Sequence, residues 1–421
     1  MEMMSGYKQT EVGVIPEDWK CEALDRSIAI IHGYGFQGQY FKSQGVYRLT
    51  TPGNFSESGG FRDVGEKQKF YGGPFPESYL LKPGDLIVVM TEQADGLLGS
   101  AALIPQHGNY LHNQRLGKVK VLSTEISIGF LYRIFNSKAY RSKVRETAAG
   151  TKVKHTSPSK LLEITVALPP TKAEQEAIAE ALSDADALIE SLEQLIAKKR
   201  HLKQGAMQEL LTGKKRLDGF SKEWSKVSMR DILTQNATYG IVTAGAFVAN
   251  GVKMVRGGDI NGGRVSTDLP MVSHEKNAEY SRTNLIRNDG VIALVGYPGE
   301  AARIPDELIG ANISRAVGLL RLNSKVIPDY IVCFLNSPNG RRMVLAPSAG
   351  SAQQVVNLAA LNKLEFSIPE IEEQKAIAAI LSDMAAEIAA LEERLGKTRA
   401  LKQGMMHVLL TGRIRLSRQP G

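Results

Sequence analysis

Residues 174–217 and 373–416 align without a gap and agree at roughly 25 of 44 positions. Both stretches carry Ser-Asp (183–184 and 382–383), Leu-Lys-Gln-Gly (202–205 and 401–404) and Leu-Leu-Thr-Gly (210–213 and 409–412). Agreement this dense is a duplication, and it constrains the fold more than any other feature, because whatever one half builds the other must build again. Fainter matches extend outward. The only two tryptophans, Trp19 and Trp224, stand near the starts of the preceding segments; Asn136-Ser137 answers Asn336-Ser337, Gly150-Thr151 answers Gly350-Ser351, and Pro169 answers Pro369. A period near 200 residues is too long for a solenoid, so the chain reads as four segments: 1–170, 171–217, 218–370 and 371–421.

The two repeated segments read as long helices. Ile178, Leu182, Ala185, Ile189, Leu192 and Ile196 alternate by four and three, as do Ile377, Leu381, Met384, Ile388, Leu391 and Leu395, the spacing of a coiled-coil seam. Leu202 and Leu401 fall out of phase, so the seam is expected to slip one position near Lys199 and Thr398. Pro169-Pro170 and Pro369 mark the starts, and Gly213 and Gly412 the C-terminal caps. About 38 residues at 1.5 Å each give roughly 57 Å per helix. Each helix joins one variable segment to the next, so burying both seams requires an antiparallel pair with a pseudo-two-fold axis and a module at each end. The variable segments hold short β-branched runs, GDLIVVM and GVIALVG among them, with helices near 126–147 and 327–346. The expected class is α+β: two similar mixed α/β modules separated by two long helices in an antiparallel coiled coil.

Composition narrows the partners. Fifty-two Lys and Arg against 44 Asp and Glu give +8 and a pI near 9.2, with about +4 on the first variable segment and about +2 on the second, the direction expected of a protein that meets phosphates. No apolar run reaches the ~18 residues of a membrane span and the opening lacks a signal-peptide core, so a cytoplasmic chain with no membrane partner is expected. Cys21 and Cys333 have no ligand or disulfide spacing and read as inert buried thiols. No phosphate-loop, metalloprotease or nucleophile-elbow motif occurs, and the seven histidines form no metal spacing. Gly33, Gly35 and Gly38 fit a dinucleotide fingerprint, but QYFKSQG follows where a helix is required, which favours a loop.

The opening YKQTEVGVIPEDWK, the GT and GS at 150 and 350, the Pro-rich approach to Glu174-Gln175 and Glu373-Gln374, and the twice-used LKQG...LLTG together resemble the specificity subunit of type I restriction-modification enzymes across the whole chain. The resemblance implies two target-recognition domains that each read half of a bipartite double-stranded DNA sequence. It also implies catalysis in other polypeptides: two modification subunits that methylate adenine with S-adenosylmethionine, and two restriction subunits that use ATP and magnesium. No cofactor is expected in this chain. A rod with a reader at each end suits such a target, because DNA repeats its groove face every ~10.5 base pairs and linking two readers makes the second contact intramolecular.

Candidate DNA contacts follow from residue type. After Gly150 come Thr151, Lys152, Lys154, His155 and Lys160, suited to phosphates and, for His155, a base; after Gly350 come Ser351, Gln353, Gln354 and Asn357, whose amides can pair with adenine edges. Further candidates are Tyr34, Gln37, Arg48, Gln114 and Arg115 in the first module and Tyr239, Arg256, Arg264, Arg315, Arg341 and Arg342 in the second. Met207, Leu210, Leu211, Met405, Met406, Leu409 and Leu410 cluster where a two-helix coil should fray, which suggests a partner-docking surface. Two rivals share parts of this pattern: a nucleotide-binding enzyme built on Gly33, Gly35 and Gly38, and a non-catalytic coiled-coil scaffold.

Overall fold

The computed structural model describes residues 5–92, 96–150, 153–348 and 354–416. The chain divides into two compact units, Met1–Ser191 with Leu395–Gly421, and Leu192–Arg394. Each unit therefore takes in part of both helical regions. The helices are continuous over 39 residues, Lys172–Leu210 and Ile371–Leu409. Gly213 and Gly412, with φ of 67° and 68°, follow in the left-handed conformation that stops a helix.

Within each unit the two helices run antiparallel. In the first, the start of one helix lies beside the end of the other: Arg415 binds Glu174 at 2.5 and 2.8 Å, and Lys402 pairs with Asp186. In the second, Arg216 binds Glu373 at 2.7 Å twice, Arg200 binds Glu392 and Lys199 binds Glu387, both at 2.6 Å. The seam does not slip, contrary to expectation. Its four-three alternation continues through Lys199, Lys203, Ala206 and Leu210, and through Thr398, Lys402, Met405 and Leu409, all buried or half-buried. Leu202 and Leu401 instead face outward, 51% and 64% exposed. Lysine can hold a seam position because its stem lies along apolar surface while the ammonium reaches out to a carboxylate.

Each unit carries an equivalent pair of sheets, the first four-stranded in both, the second five-stranded in the first unit and three-stranded in the second. In the first, an antiparallel sheet runs in the order Ala101–Leu103, Leu86–Val89, Leu116–Val121, Ile28–His32; in the second, Ala301–Arg303, Gly290–Ala293, Val317–Leu320, Thr238–Tyr239. A second sheet contains a parallel pair, Tyr47–Thr50 with Asn109–His112 and Val252–Val255 with Asn312–Ile313. A two-stranded ladder, Lys20–Glu22 with Val166–Leu168 and Ser225–Ser228 with Glu365–Ile368, ties the start of each module to its end just before the long helix.

The small motifs now have physical reasons. The helical stretch of each module breaks in two, Ile128–Phe135 then Lys138–Glu146, and Pro328–Asn336 then Pro338–Leu345. Ser137 and Ser337 cap the second pieces by accepting the amides of Tyr140 and Gly340. Asn136 and Asn336 grip the edge strands two-pronged. The Ala101 and Ala301 amides donate to their Oδ1 at 3.0 and 2.8 Å, and their Nδ2 donates to the same residues' carbonyls at 3.0 and 2.7 Å. Both alanines are fully buried, and among the described residues no further strand pairs with that edge; without the asparagine these backbone groups would lose partners away from water.

Gln175 and Gln374 act alike, each accepting an amide (Ser127, Ile327) at 2.9 Å and donating to the Pro169 or Pro369 carbonyl. Glu174 and Glu373 are buried and receive the arginine from the other helix's end, which also lies over the unit's tryptophan, Arg415 over Trp19 and Arg216 over Trp224, each 5.9 Å from the ring centre. Sequence reading missed Arg216 and Arg415. Their position three residues past each Thr-Gly was the available signal.

The helix-end residues require a correction. Leu409 and Leu410 lie in the core of the first unit with Trp19 and Phe130, and Leu210 and Leu211 in that of the second with Met229 and Tyr330. Met405, Met406 and Met207 pack against those cores. They form no free docking surface, because the module itself covers the fraying end. Among the described residues no helix is long and apolar enough to cross a membrane, and no group of three His, Cys, Asp or Glu could hold a metal. The cysteines are free and half-buried rather than fully buried, and burial pushes the Cys333 thiol up to about 11.

Candidate nucleic-acid interface

Some of the candidate contacts gather around one reverse turn in each unit. In the first it spans residues 113–116, where the Leu116 amide donates to the Asn113 carbonyl at 3.0 Å and the Arg115 amide to Asn113 Oδ1 at 3.0 Å. In the second it spans 314–317, with the Val317 amide on the Ser314 carbonyl at 3.1 Å and the Ala316 amide on Ser314 Oγ at 3.3 Å. Asn and Ser supply this side-chain acceptor for the same reason, a short polar group that reaches its own turn.

Equivalent outer hydrogen bonds fix each turn, apart from the Gly33 amide, which donates to the Leu116 carbonyl, and the Gly240 amide, which donates to that of Ser314. Tyr34 and Ile241 donate their amides to the carbonyls of His112 and Ile313, both at 2.8 Å, and accept those of Gln114 and Arg315 at 3.0 and 2.8 Å. The amides of Met90 and Leu294 donate to the carbonyls of Arg115 and Ala316. The carbonyls of Met90 and Leu294 in turn accept from Thr156 and Val356, which brings in the segments that hold His155 and Gln354. The approach is close enough to demand glycine: a Cβ on Gly33 would lie 2.1 Å from the Asn113 oxygen, and one on Gly240 1.9 Å from the Ile313 oxygen. This is what Gly33 does. After the strand Ile28–His32 the chain makes a loop and a single turn at Gly38–Tyr40, with no helix to face a phosphate, so the dinucleotide fingerprint has no structural counterpart.

The structure thus brings Tyr34, Gln114, Arg115, Lys154 and His155 to one place in the first unit, where Thr91 Oγ1 lies 3.0 Å from His155 Nδ1. In the second it gathers Tyr239, Arg315 and Gln354, with Arg256 preceding Gly257, where a Cβ would lie 2.2 Å from the Val295 oxygen and 3.3 Å from that of Ala316. Arg115, Arg264, Arg315 and Arg342 are exposed and make no ion pair among the described residues.

Other candidates have work inside the fold or lie on other elements. Lys160 donates to the Thr147 carbonyl at 2.6 Å, at the end of the helix Lys138–Glu146. Arg48 donates to the Tyr110 hydroxyl at 3.1 Å, Arg256 binds Asp259 and Arg341 binds Glu300. Asn357 caps the helix Leu358–Asn362, Gln37 accepts from Gln39, Arg264 lies on the hairpin Ile260–Val265 and Arg342 on the helix Pro338–Leu345. Thr151, Lys152, Ser351 and Gln353 lie outside the described residues. Sequence reading missed Tyr297, 56% exposed on the loop Val295–Gly299 beside the second turn; its Gly-Tyr-Pro-Gly sequence was the signal. That loop is anchored through Glu300 to Arg341; in the first unit the buried Arg141 donates to the carbonyls of Leu98, Glu57 and Gly96.

Comparison with known proteins agrees with this layout. The chain is 27% identical over 424 residues to the type I restriction enzyme EcoBI specificity subunit of Escherichia coli, covering 94% of this chain and 85% of that one. It is 24% identical over 302 residues to the MjaVIII specificity subunit of Methanocaldococcus jannaschii, covering 68% and 70%. The S subunit of a type I restriction-modification system from M. genitalium shares the fold with a TM-score of 0.60 at 14% identity, over 97% of this chain and 98% of that one. The family model for the type I restriction modification DNA specificity domain matches twice, over residues 17–198 and 221–399. Two matches spanning most of the chain, on the two halves that carry the equivalent turns, make it a member of the type I restriction modification DNA specificity family.

Proposed function

We propose that this chain is the sequence-reading subunit of a type I restriction-modification enzyme, each unit contacting one half of a bipartite DNA target. The observation that carries the reading is the turn built twice from equivalent backbone bonds with different side chains, exposed Gln114 and Arg115 against exposed Arg315 and half-buried Ala316. Rigid mounts with different tips suit two readers of different sequences. The methyl donor, ATP and magnesium would be bound by companion subunits, so this chain acts as a non-catalytic part of a multi-subunit methyltransferase and endonuclease. Two modification subunits would dock on the outward helix faces, where Leu202 and Leu401 stand exposed at equivalent positions of the repeat, and restriction subunits would join through them. The test is to map modified adenines in host DNA with and without this gene. A two-part motif that disappears with the gene supports the reading; an unchanged modification pattern refutes it.

A further inference from the structure

The equivalence of the two turns goes further. Gln114 and Arg315 occupy one structural position: each follows the residue whose side chain closes the turn, and each amide is held by the carbonyl of Tyr34 or Ile241, whose own amide binds the carbonyl two residues before it. Both side chains are exposed, and among the described residues neither makes a side-chain hydrogen bond or ion pair. Room for the first is provided by Gly35, since a Cβ there would come within 3.0 Å of the Gln114 Oε1. In the second unit Arg256, Arg321 and Arg341 are neutralised by Asp259, Asp289 and Glu300, whereas Arg315, like Arg264 and Arg342, has no such partner among the described residues, and of these three it alone lies on the turn. Glutamine and arginine are also the two side chains that read different purines two-pronged in the major groove, adenine through N6 and N7 and guanine through O6 and N7.

We infer that Gln114 and Arg315 are the corresponding base-reading residues of the two units, Gln114 selecting an adenine in one half-site and Arg315 a guanine in the other. The inference rests on the proposed DNA-reading function and adds the residue that sets one base in each half. A backbone fixed by these bonds positions a side chain to the few tenths of an ångström that base discrimination needs.

The experiment uses the full-length chain in its own host, with modified adenines mapped genome-wide for the unaltered protein and for Gln114→Arg, Arg315→Gln, Gln114→Ala and Arg315→Ala. Gln114→Arg is expected to change the base accepted at one position of one half-site, leaving the other half-site and the spacer intact, and Arg315→Gln to do the same in the other half. Each alanine variant is expected to relax that position by roughly tenfold or more while the rest of the motif persists. An unchanged motif in the alanine variants, or a change spread over both half-sites, overturns the inference. So does an alanine variant that melts normally yet modifies nothing, because the residue then serves general affinity. If the unaltered protein shows no two-part motif, it is the underlying DNA-reading function that fails.

Discussion

Asn336→Ala tests whether the asparagine clamps hold each module's edge strand. The substitution removes the acceptor 2.8 Å from the Ala301 amide and the donor 2.7 Å from the Ala301 carbonyl, at a residue with no exposed surface. Each buried backbone group left without a partner costs about 1–3 kcal/mol, so the loss should be about 2–5 kcal/mol. Asn136→Ala is the internal comparison. There the Ala101 carbonyl also accepts the Gly60 amide at 2.9 Å, so only the Ala101 amide is orphaned and the loss should be about 1–3 kcal/mol. Urea unfolding followed by tryptophan emission separates the units, because Trp224 belongs to the second and Trp19 to the first. A Trp19→Phe background isolates Trp224 for the first variant, and Trp224→Phe isolates Trp19 for the second. A shift below about 0.5 kcal/mol for Asn336→Ala, or one no larger than that of Asn136→Ala, would refute the reasoning.

His112 gives a pH dependence. Burial pushes it down to about 4, and its Nε2 lies 3.0 Å from the Leu116 carbonyl, which the neutral ring can serve as donor. The folded value lies below the unfolded one of about 6.5. As pH falls through that window the unfolded chain takes up the proton first, and the first unit should lose about 2 kcal/mol between pH 7 and pH 5; a His112→Gln variant whose unfolding keeps the full pH slope would show the cause lies elsewhere. The second unit has Ile313 at the same place and serves as its control. Gly240→Ala and Gly33→Ala force a methyl against backbone oxygen, so each should destabilise its unit by more than about 2 kcal/mol in urea melts, and unaltered melting would remove the close approach as the reason for glycine. Leu202→Asp and Leu401→Asp should leave the melting of the isolated chain within about 0.5 kcal/mol while abolishing co-purification of the modification subunits, and retained co-purification would place the docking surface elsewhere.

Much of the fold is legible wherever one residue type serves one physical purpose. The proline before each long helix, the glycine after it and the capping serine act locally, and the heptad leucines and isoleucines repeat at a fixed spacing; the asparagine beside each serine was visible as a match, but its clamp on a strand 35 residues away was not. The seam beyond Ile196 and Leu395 was misread because leucine looks like a seam residue and lysine does not. The deciding groups are Glu387 and Asp186, which the fold alone brings beside Lys199 and Lys402. The helix-end leucines were misread for a related reason, since nothing in the sequence tells a leucine covered by its own module from one left for a partner. The turn itself was invisible as a repeat: Asn-Gln-Arg-Leu and Ser-Arg-Ala-Val match at no position, and their likeness lies in backbone bonds to Tyr34 and Ile241, more than 70 residues away, and to Met90 and Leu294, more than 20 away. Gln114 and Arg315 could be named by chemistry, but not paired.

The arginine, glutamate and tryptophan at each long-helix junction have a further consequence. Each variable stretch is fastened to a socket made from the start of one helix and the tail of the other, and because the repeat is gapless both sockets offer the same fittings in the same order. A stretch taken from one slot, or from a related gene, meets matching hardware in the other. Recombination can therefore renew what the protein reads without redesigning how it is held together.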